Sequence, residues 1–125
     1  MDRTPSILVV DDEEYVTQLL KRTLEPQGYR VTIANNGSAA LEEVKKSTPD
    51  LILLDINMPG LSGYEVLERI KQKHEIPVIM LTAVLEAAAV NKSIGLGADD
   101  YIRKPFRSRE LVARVNAKLR RAGMR

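Results

Sequence analysis

The stretch Leu51–Gly63, LILLDINMPGLSG, constrains the chain more than any other. Four apolar residues run without alternation into Asp55, and a Met-Pro-Gly turn follows. An unbroken apolar run is what a strand needs when both faces of a parallel sheet are covered, and four residues are too few for a buried helix. Pro59 and Gly60 punctuate the run, and Ser62 with Glu65 three residues later has the form of a capping box opening the next helix. The segment reads strand, loop, helix, with one carboxylate where buried strand meets loop. In open α/β sheets, ligands bind outside the carboxyl ends of strands, which is where Asp55 falls. Asp is also a common turn residue, so position alone leaves a purely structural role open.

The same alternation recurs along the chain. Ser6–Val10 (SILVV) is β-rich and ends in Asp11 and Asp12. From Glu13, Val16, Leu19, Leu20 and Leu24 fall at helical spacing until Pro26 and Gly28. Tyr29–Ala34 alternates apolar and polar, as a half-buried edge strand does. Asn36-Gly37 turns the chain, and Ala40, Leu41 and Val44 mark a second helix that Pro49 breaks. Val66, Leu67 and Ile70 form the stripe of a third, finished by His74 and Pro77. Pro77–Leu81 is a fourth buried strand ending at Thr82. Val84–Leu96 is Ala-rich, with Val90 and Ile94 four apart, and predicts a short helix loosened by Gly95 and Gly97. Asp100–Arg103 is a short last strand before Lys104 and Pro105, and Leu111, Val112, Val115 and Leu119 give the fifth helix its buried face. Five strands alternating with five helices predict an α/β fold, a doubly wound parallel sheet with right-handed crossovers.

Length and composition set bounds on function. At 125 residues the chain is expected to be one domain, residues 1–122, with 123–125 as a tail or the start of a linker. The absence of cysteine excludes disulfides, thiolate metal sites and cysteine nucleophiles. The apolar runs are too short to span a bilayer, and MDRTPS lacks the regions of a signal peptide, so a cytoplasmic location is expected with no membrane role. A net charge of +2, carried largely by Arg120, Arg121 and Arg125 at the tail, makes no case for nucleic acid binding. His74 lies in a polar KQKHE run and reads as a surface residue.

In a parallel sheet the carboxyl ends of strands one, three, four and five share one edge, which brings together Asp11, Asp12, Asp55, Thr82 and Lys104. Three close carboxylates repel one another, and an oxygen-only set suits Mg²⁺, which binds few carboxylates and keeps several waters. Its open positions suit a phosphate, with Lys104 as counter-charge and Thr82 as hydroxyl donor. Asp55 is then a candidate nucleophile forming an aspartyl phosphate. Taken singly, Asp11 and Asp12 are equally good helix caps, and Thr82 and Lys104 ordinary surface polar groups.

ILVVDDEE, LILLDINMPGLSGYEVL, PVIMLTA and GADDYIRKPF together resemble the receiver domain of two-component response regulators, over nearly the whole chain. The resemblance implies a flavodoxin-like sheet in the order 2-1-3-4-5 and a phosphoacceptor rather than an enzyme acting on other substrates. It implies Asp55 as acceptor from a histidine kinase, and Mg²⁺ on Asp12, Asp55 and the Asn57 carbonyl, with Asp11 acting mainly through water. Thr82 and Lys104 bind the phosphoryl oxygens, Ala83 leaves room for the group, and Lys104-Pro105 is cis. Thr82 and Tyr101 form the switch that alters the surface of helix four, strand five and helix five toward an output domain or downstream protein. Asp100, Glu110 and Arg114 match the charged dimer surface of DNA-binding members, but Val90, Leu96 and Ala117 replace its other charges, so a homodimer of that kind is in doubt. Apolar Val84 offers no side-chain help to a hydrolytic water.

Two other functions compete. A Mg²⁺-dependent phosphatase with an aspartyl nucleophile commonly has a second acid two residues on, where this chain has Asn57. A flavodoxin-like cofactor binder needs a phosphate loop after strand one, where acidic DDEE repels phosphate.

Overall fold

The computed structural model describes residues 4–83 and 87–123. Five parallel strands, β1 (Ser6–Val10), β2 (Arg30–Ala34), β3 (Leu51–Asp55), β4 (Val78–Thr82) and β5 (Asp100–Arg103), form one sheet in the order β2-β1-β3-β4-β5. Between and after them run α1 (Glu14–Leu24), α2 (Gly37–Lys46), α3 (Gly63–Lys73), α4 (Ala87–Gly95) and α5 (Ser108–Arg121). The fold is the doubly wound one the apolar pattern predicts.

The sheet is covered on both sides. One core joins Leu8, Ile52, Leu54 and Met80 to Val44 of α2 and Val66, Leu67 and Ile70 of α3. The other joins Ile7, Val9, Leu53 and Ile79 to Leu20 of α1 and Leu111, Val115 and Leu119 of α5. Alternate residues of one strand therefore feed opposite cores. Every residue of β3 and β4 is buried, which is why neither strand alternates in sequence, while edge strand β2 does. At about 1.5–3 kcal/mol for each large aliphatic side chain, the central strands dominate the hydrophobic term.

Local chemistry sets the boundaries. Ser62 and Glu65 form the capping box of α3, with each side chain accepting from the other's backbone N–H. Asn36 caps α2 by accepting from Ala39 N–H at 2.8 Å. Helix α1 ends in a 3-10 turn at Glu25–Gln27, closed by Gly28 at φ +95°. Helix α2 stops at Lys46 with Ser47 as its cap, before Pro49 is reached.

The structure refines the reading of three helices. The helix marked by Val90 and Ile94 is present as α4, with Val90 half-buried and Ile94 60% exposed. Among the α4 residues whose burial is described, Ser93 is the buried one, and its hydroxyl donates to the Ala89 carbonyl at 3.1 Å. Val112 on α5 is only half-buried, because the covered stripe runs through Leu111, Val115 and Leu119. His74, read as a surface residue, is half-buried at the C-cap of α3, where its N–H donates to the Ile70 carbonyl at 2.8 Å. The predicted helix start and hydrolysis position at Val84, and Arg125 of the tail, lie outside the described residues.

Candidate functional site

Backbone pairing brings the polar strand ends together. Val10 is in register with Leu54, so Asp11 and Asp55 leave adjacent strands at the same level. Asp11 N–H donates to the Ala34 carbonyl at 3.2 Å, and its Oδ1 accepts from Glu13 N–H at 3.0 Å. That bond turns the chain into α1, so Asp11 organises the helix entry even though Glu13 is the residue at the cap. After β3, Ile56 N–H donates to Leu81 and Gly63 N–H to Ile56, tying the loop back onto the sheet. Lys104 N–H donates to the Thr82 carbonyl at 2.7 Å, and the Lys104–Pro105 bond is cis.

The side chains of Asp11, Asp55 and Lys104 then meet. Lys104 Nζ lies 2.7 Å from Asp11 Oδ2, 3.2 Å from Asp55 Oδ1 and 3.9 Å from Glu13 Oε1. Carboxylate oxygens of Asp11, Asp12 and Asp55 all lie within 4.8 Å of one another. Asp11 is fully buried and Asp55 nearly so, while Asp12 faces solvent. Burial pushes the Asp55 carboxyl up to about 6, the charge of Asp11 adds to this, and Lys104 opposes both. Burial also works against the Lys104 ammonium, but its hydrogen bond to Asp11 and the charge of Asp55 outweigh it and raise its pKa.

Thr82 ends β4, buried, and is in register with Arg103, next to Lys104. Tyr101 is half-buried and pairs with Met80, against whose core it packs. With strand period two, Thr82 and Met80 share a face, so Tyr101 and Thr82 lie on the same side of adjacent strands. Asn57 and Ala83 are exposed in the loops that follow β3 and β4.

A family model described as the response regulator receiver domain matches residues 7–116. The chain belongs to the response regulator receiver family. The receiver domain of Francisella response regulator 1452 is 35% identical, with 95% of this chain and 99% of that one covered and a TM-score of 0.90. A CheY-like receiver domain protein from Methanospirillum hungatei is 32% identical over 95% of this chain and 96% of that one, at TM-score 0.90. DrrB of Thermotoga maritima, an OmpR/PhoB homolog, is 34% identical over 96% of this chain but 54% of its own, at TM-score 0.89. Receivers of this family bind Mg²⁺ at an acidic pocket, and the cluster of Asp11, Asp12 and Asp55 has the hard oxygen donors such an ion takes.

The receiver's three candidate dimer residues are paired within one chain. Arg114 donates to both oxygens of Asp100 at 2.8 and 2.9 Å and to Glu110 at 3.2 Å. Lys118 adds a fourth charge, 4.0 Å from Asp100.

Two site features escaped sequence reasoning. Glu13 reaches Lys104, and the DDEE run contained that signal. Gly63 lies against the Asp55 backbone, and nothing local in the sequence distinguishes it from an ordinary helix-start glycine. Among the described residues, no helix is long and apolar enough to cross a membrane.

Proposed function

We propose that Asp55 accepts a phosphoryl group from a histidine kinase, and that the aspartyl phosphate alters the surface of α4, β5 and α5 to control an output domain or downstream protein. The observation that carries this reading is a nearly buried carboxylate 3.2 Å from a lysine and beside two further acids at one sheet edge. A carboxyl that titrates near 6 is ionised at neutral pH yet more basic than an ordinary aspartate, which suits a nucleophile. In the transfer, an Asp55 oxygen forms the P–O bond as the P–N bond to the donor imidazole breaks, and the ring nitrogen keeps that electron pair. Lys104 and Thr82 bind the phosphoryl oxygens, with Lys104 exchanging part of its contact with Asp55 for the incoming charge.

Asp12, Asp55 and the Asn57 carbonyl would hold Mg²⁺ directly, with Asp11 acting mainly through water. The bound cation offsets the negative charge of the acids and the phosphoryl group, which Lys104 alone does not balance. Thr82 then turns toward the phosphoryl oxygens, and Tyr101, on the same face of the neighbouring strand, moves into the space released.

In this reading residues 1–122 are the receiver and 123–125 a tail or linker start. The domain works in the cytoplasm, and binds neither nucleic acid nor membrane directly. A homodimer that used Asp100, Glu110 and Arg114 has to exchange their internal pairs for intermolecular ones. Incubation with acetyl phosphate and Mg²⁺, followed by intact mass and size exclusion, tests the reading. One phosphoryl group is added to the wild type and none to Asp55→Ala; no gain in the wild type contradicts it.

A further inference from the structure

A groove between α2 and α3 shares no side chain with the acidic cluster. Its floor is apolar, with Leu41 and Val44 from α2 facing Leu61 and Ile70 from the α3 side. Leu41 and Leu61 are only partly covered, so apolar surface remains open to a partner. Cations stand along its rim. Lys45 lies 3.9 Å from Glu42, so those two charges largely cancel. Arg69 and Lys73, one turn apart on α3 and both exposed, have no ion-pair partner among the described residues.

We propose that this groove docks an acidic amphipathic helix of a partner protein. Its apolar side chains would cover Leu41 and Leu61, and its flanking carboxylates would meet Arg69 and Lys73. The occupant must match two things at once, an apolar strip between helices and unneutralised positive charge beside it. The groove's volume of about 460 Å³ is too large for an inorganic anion alone. Such an ion is a few times the roughly 30 Å³ of a water and would leave the leucines uncovered. A basic helix is repelled, and a neutral one leaves Arg69 and Lys73 unmatched. Apolar anchors at i, i+3, i+4 and i+7 with carboxylates beside them satisfy both demands, as helix-in-groove recognition does. The groove ends at Leu61, in the loop after Asp55, but the proposal does not depend on Asp55 being phosphorylated.

The test uses the full, unphosphorylated chain, isotopically labelled. The probe is a synthetic helical peptide with leucines at i, i+3, i+4 and i+7 flanked by glutamates, set against a twin with glutamine for every glutamate. The acidic peptide is expected to shift the amide resonances of Leu41, Leu61 and Ile70. Its affinity is expected to be roughly tenfold higher than that of the glutamine twin, and to fall by a similar factor in Arg69→Glu/Lys73→Glu. Both substitutions are on solvent-exposed positions, and the peptide comparison on the wild type stands without them. The proposal is overturned by shifts confined to other surfaces, by no shifts at saturating peptide, or by equal binding of the two peptides. Binding of phosphatidylserine vesicles in place of the peptide also overturns it.

Discussion

Gly63 packs directly against the backbone of Asp55: a Cβ at Gly63 would stand 2.2 Å from the Asp55 carbonyl oxygen and 2.7 Å from the Ile56 Cα. No rotamer change relieves a clash with backbone, so the first turn of α3 has to move away from the end of β3. Gly63→Ala is expected to lose about 1–3 kcal/mol of stability and to slow phosphorylation, because Asp55 moves with its backbone. Gly95→Ala, where a Cβ meets nothing within 4 Å and φ is not positive, is the control and is expected to be neutral or slightly stabilising. Urea unfolding of both variants, with phosphorylation rates, measures the contrast.

The raised Asp55 carboxyl makes stability depend on pH in a defined direction. Its folded value of about 6 lies above the ordinary aspartate value of 3.8, so between those pH values the folded state holds more protons than the unfolded one. Unfolding free energy contributed by this group therefore falls as pH rises through that window, by on the order of 2–3 kcal/mol. Asp55→Asn removes the effect. In metal-free buffer the variant is expected to gain on the wild type from pH 4 to pH 7, as read by thermal melts, and Mg²⁺ is expected to narrow the gap.

Lys104 is the cation that makes a fully buried Asp11 tolerable. Lys104→Met leaves that carboxylate without its counter-charge and is expected to cost about 3–5 kcal/mol at neutral pH, the range for breaking a buried pair. It also removes the group that opposes the upward push on Asp55, so the Asp55 carboxyl is expected to titrate above its wild-type value. A carboxyl-carbon NMR titration reads this directly.

At the opposite edge of the sheet, Asp99 joins three segments. Its Oδ2 accepts from Val78 N–H at 2.8 Å and from Lys71 Nζ at 2.9 Å, and Lys71 also donates to the Ile76 carbonyl at 2.7 Å. Asp99→Ala is expected to lose about 1–2 kcal/mol, discounted for the partial exposure of Asp99. Its phosphorylation rate is expected to stay at the wild-type level, which separates folding from chemistry. Unfolding and phosphorylation measured side by side check both.

Thr82→Ala is expected to uncouple phosphorylation from the surface change. Tyr101 lies on the same face of the adjacent strand and packs into the core that contains Met80. If the Thr82 hydroxyl is what releases space, the alanine variant still gains a phosphoryl group while the Tyr101 ring resonances stay put. A wild-type Tyr101 response in the variant contradicts the coupling.

The apolar runs of β1, β3 and β4 were legible because burial on both faces leaves no alternation to confuse, and the strand-end acids because a parallel sheet must align them. Ser62 and Glu65 announced α3 because a capping box is a local, short-range device. What escaped was set by contact across the fold. The spacing of Val90 and Ile94 marks α4 as a helix but not how it is covered: Ile94 is 60% exposed while Ser93 is buried. The tight fit of Gly63 depends on where the next strand end lies, which no neighbouring residue encodes. The pairing of Arg114 with Asp100 bridges α5 and β5, so residues that match a dimer surface in sequence are paired within the chain.

The central claim concerns one carboxylate, and chemical trapping of the acyl phosphate tests it most directly. After phosphorylation with acetyl phosphate and Mg²⁺, borohydride reduction converts a phosphorylated aspartate to homoserine, and peptide mapping locates the converted residue. Conversion at Asp55 alone, dependent on the phosphodonor, is the predicted result. Conversion at Asp11 or Asp12, or none at Asp55 in a protein that has gained a phosphoryl group, would contradict the account.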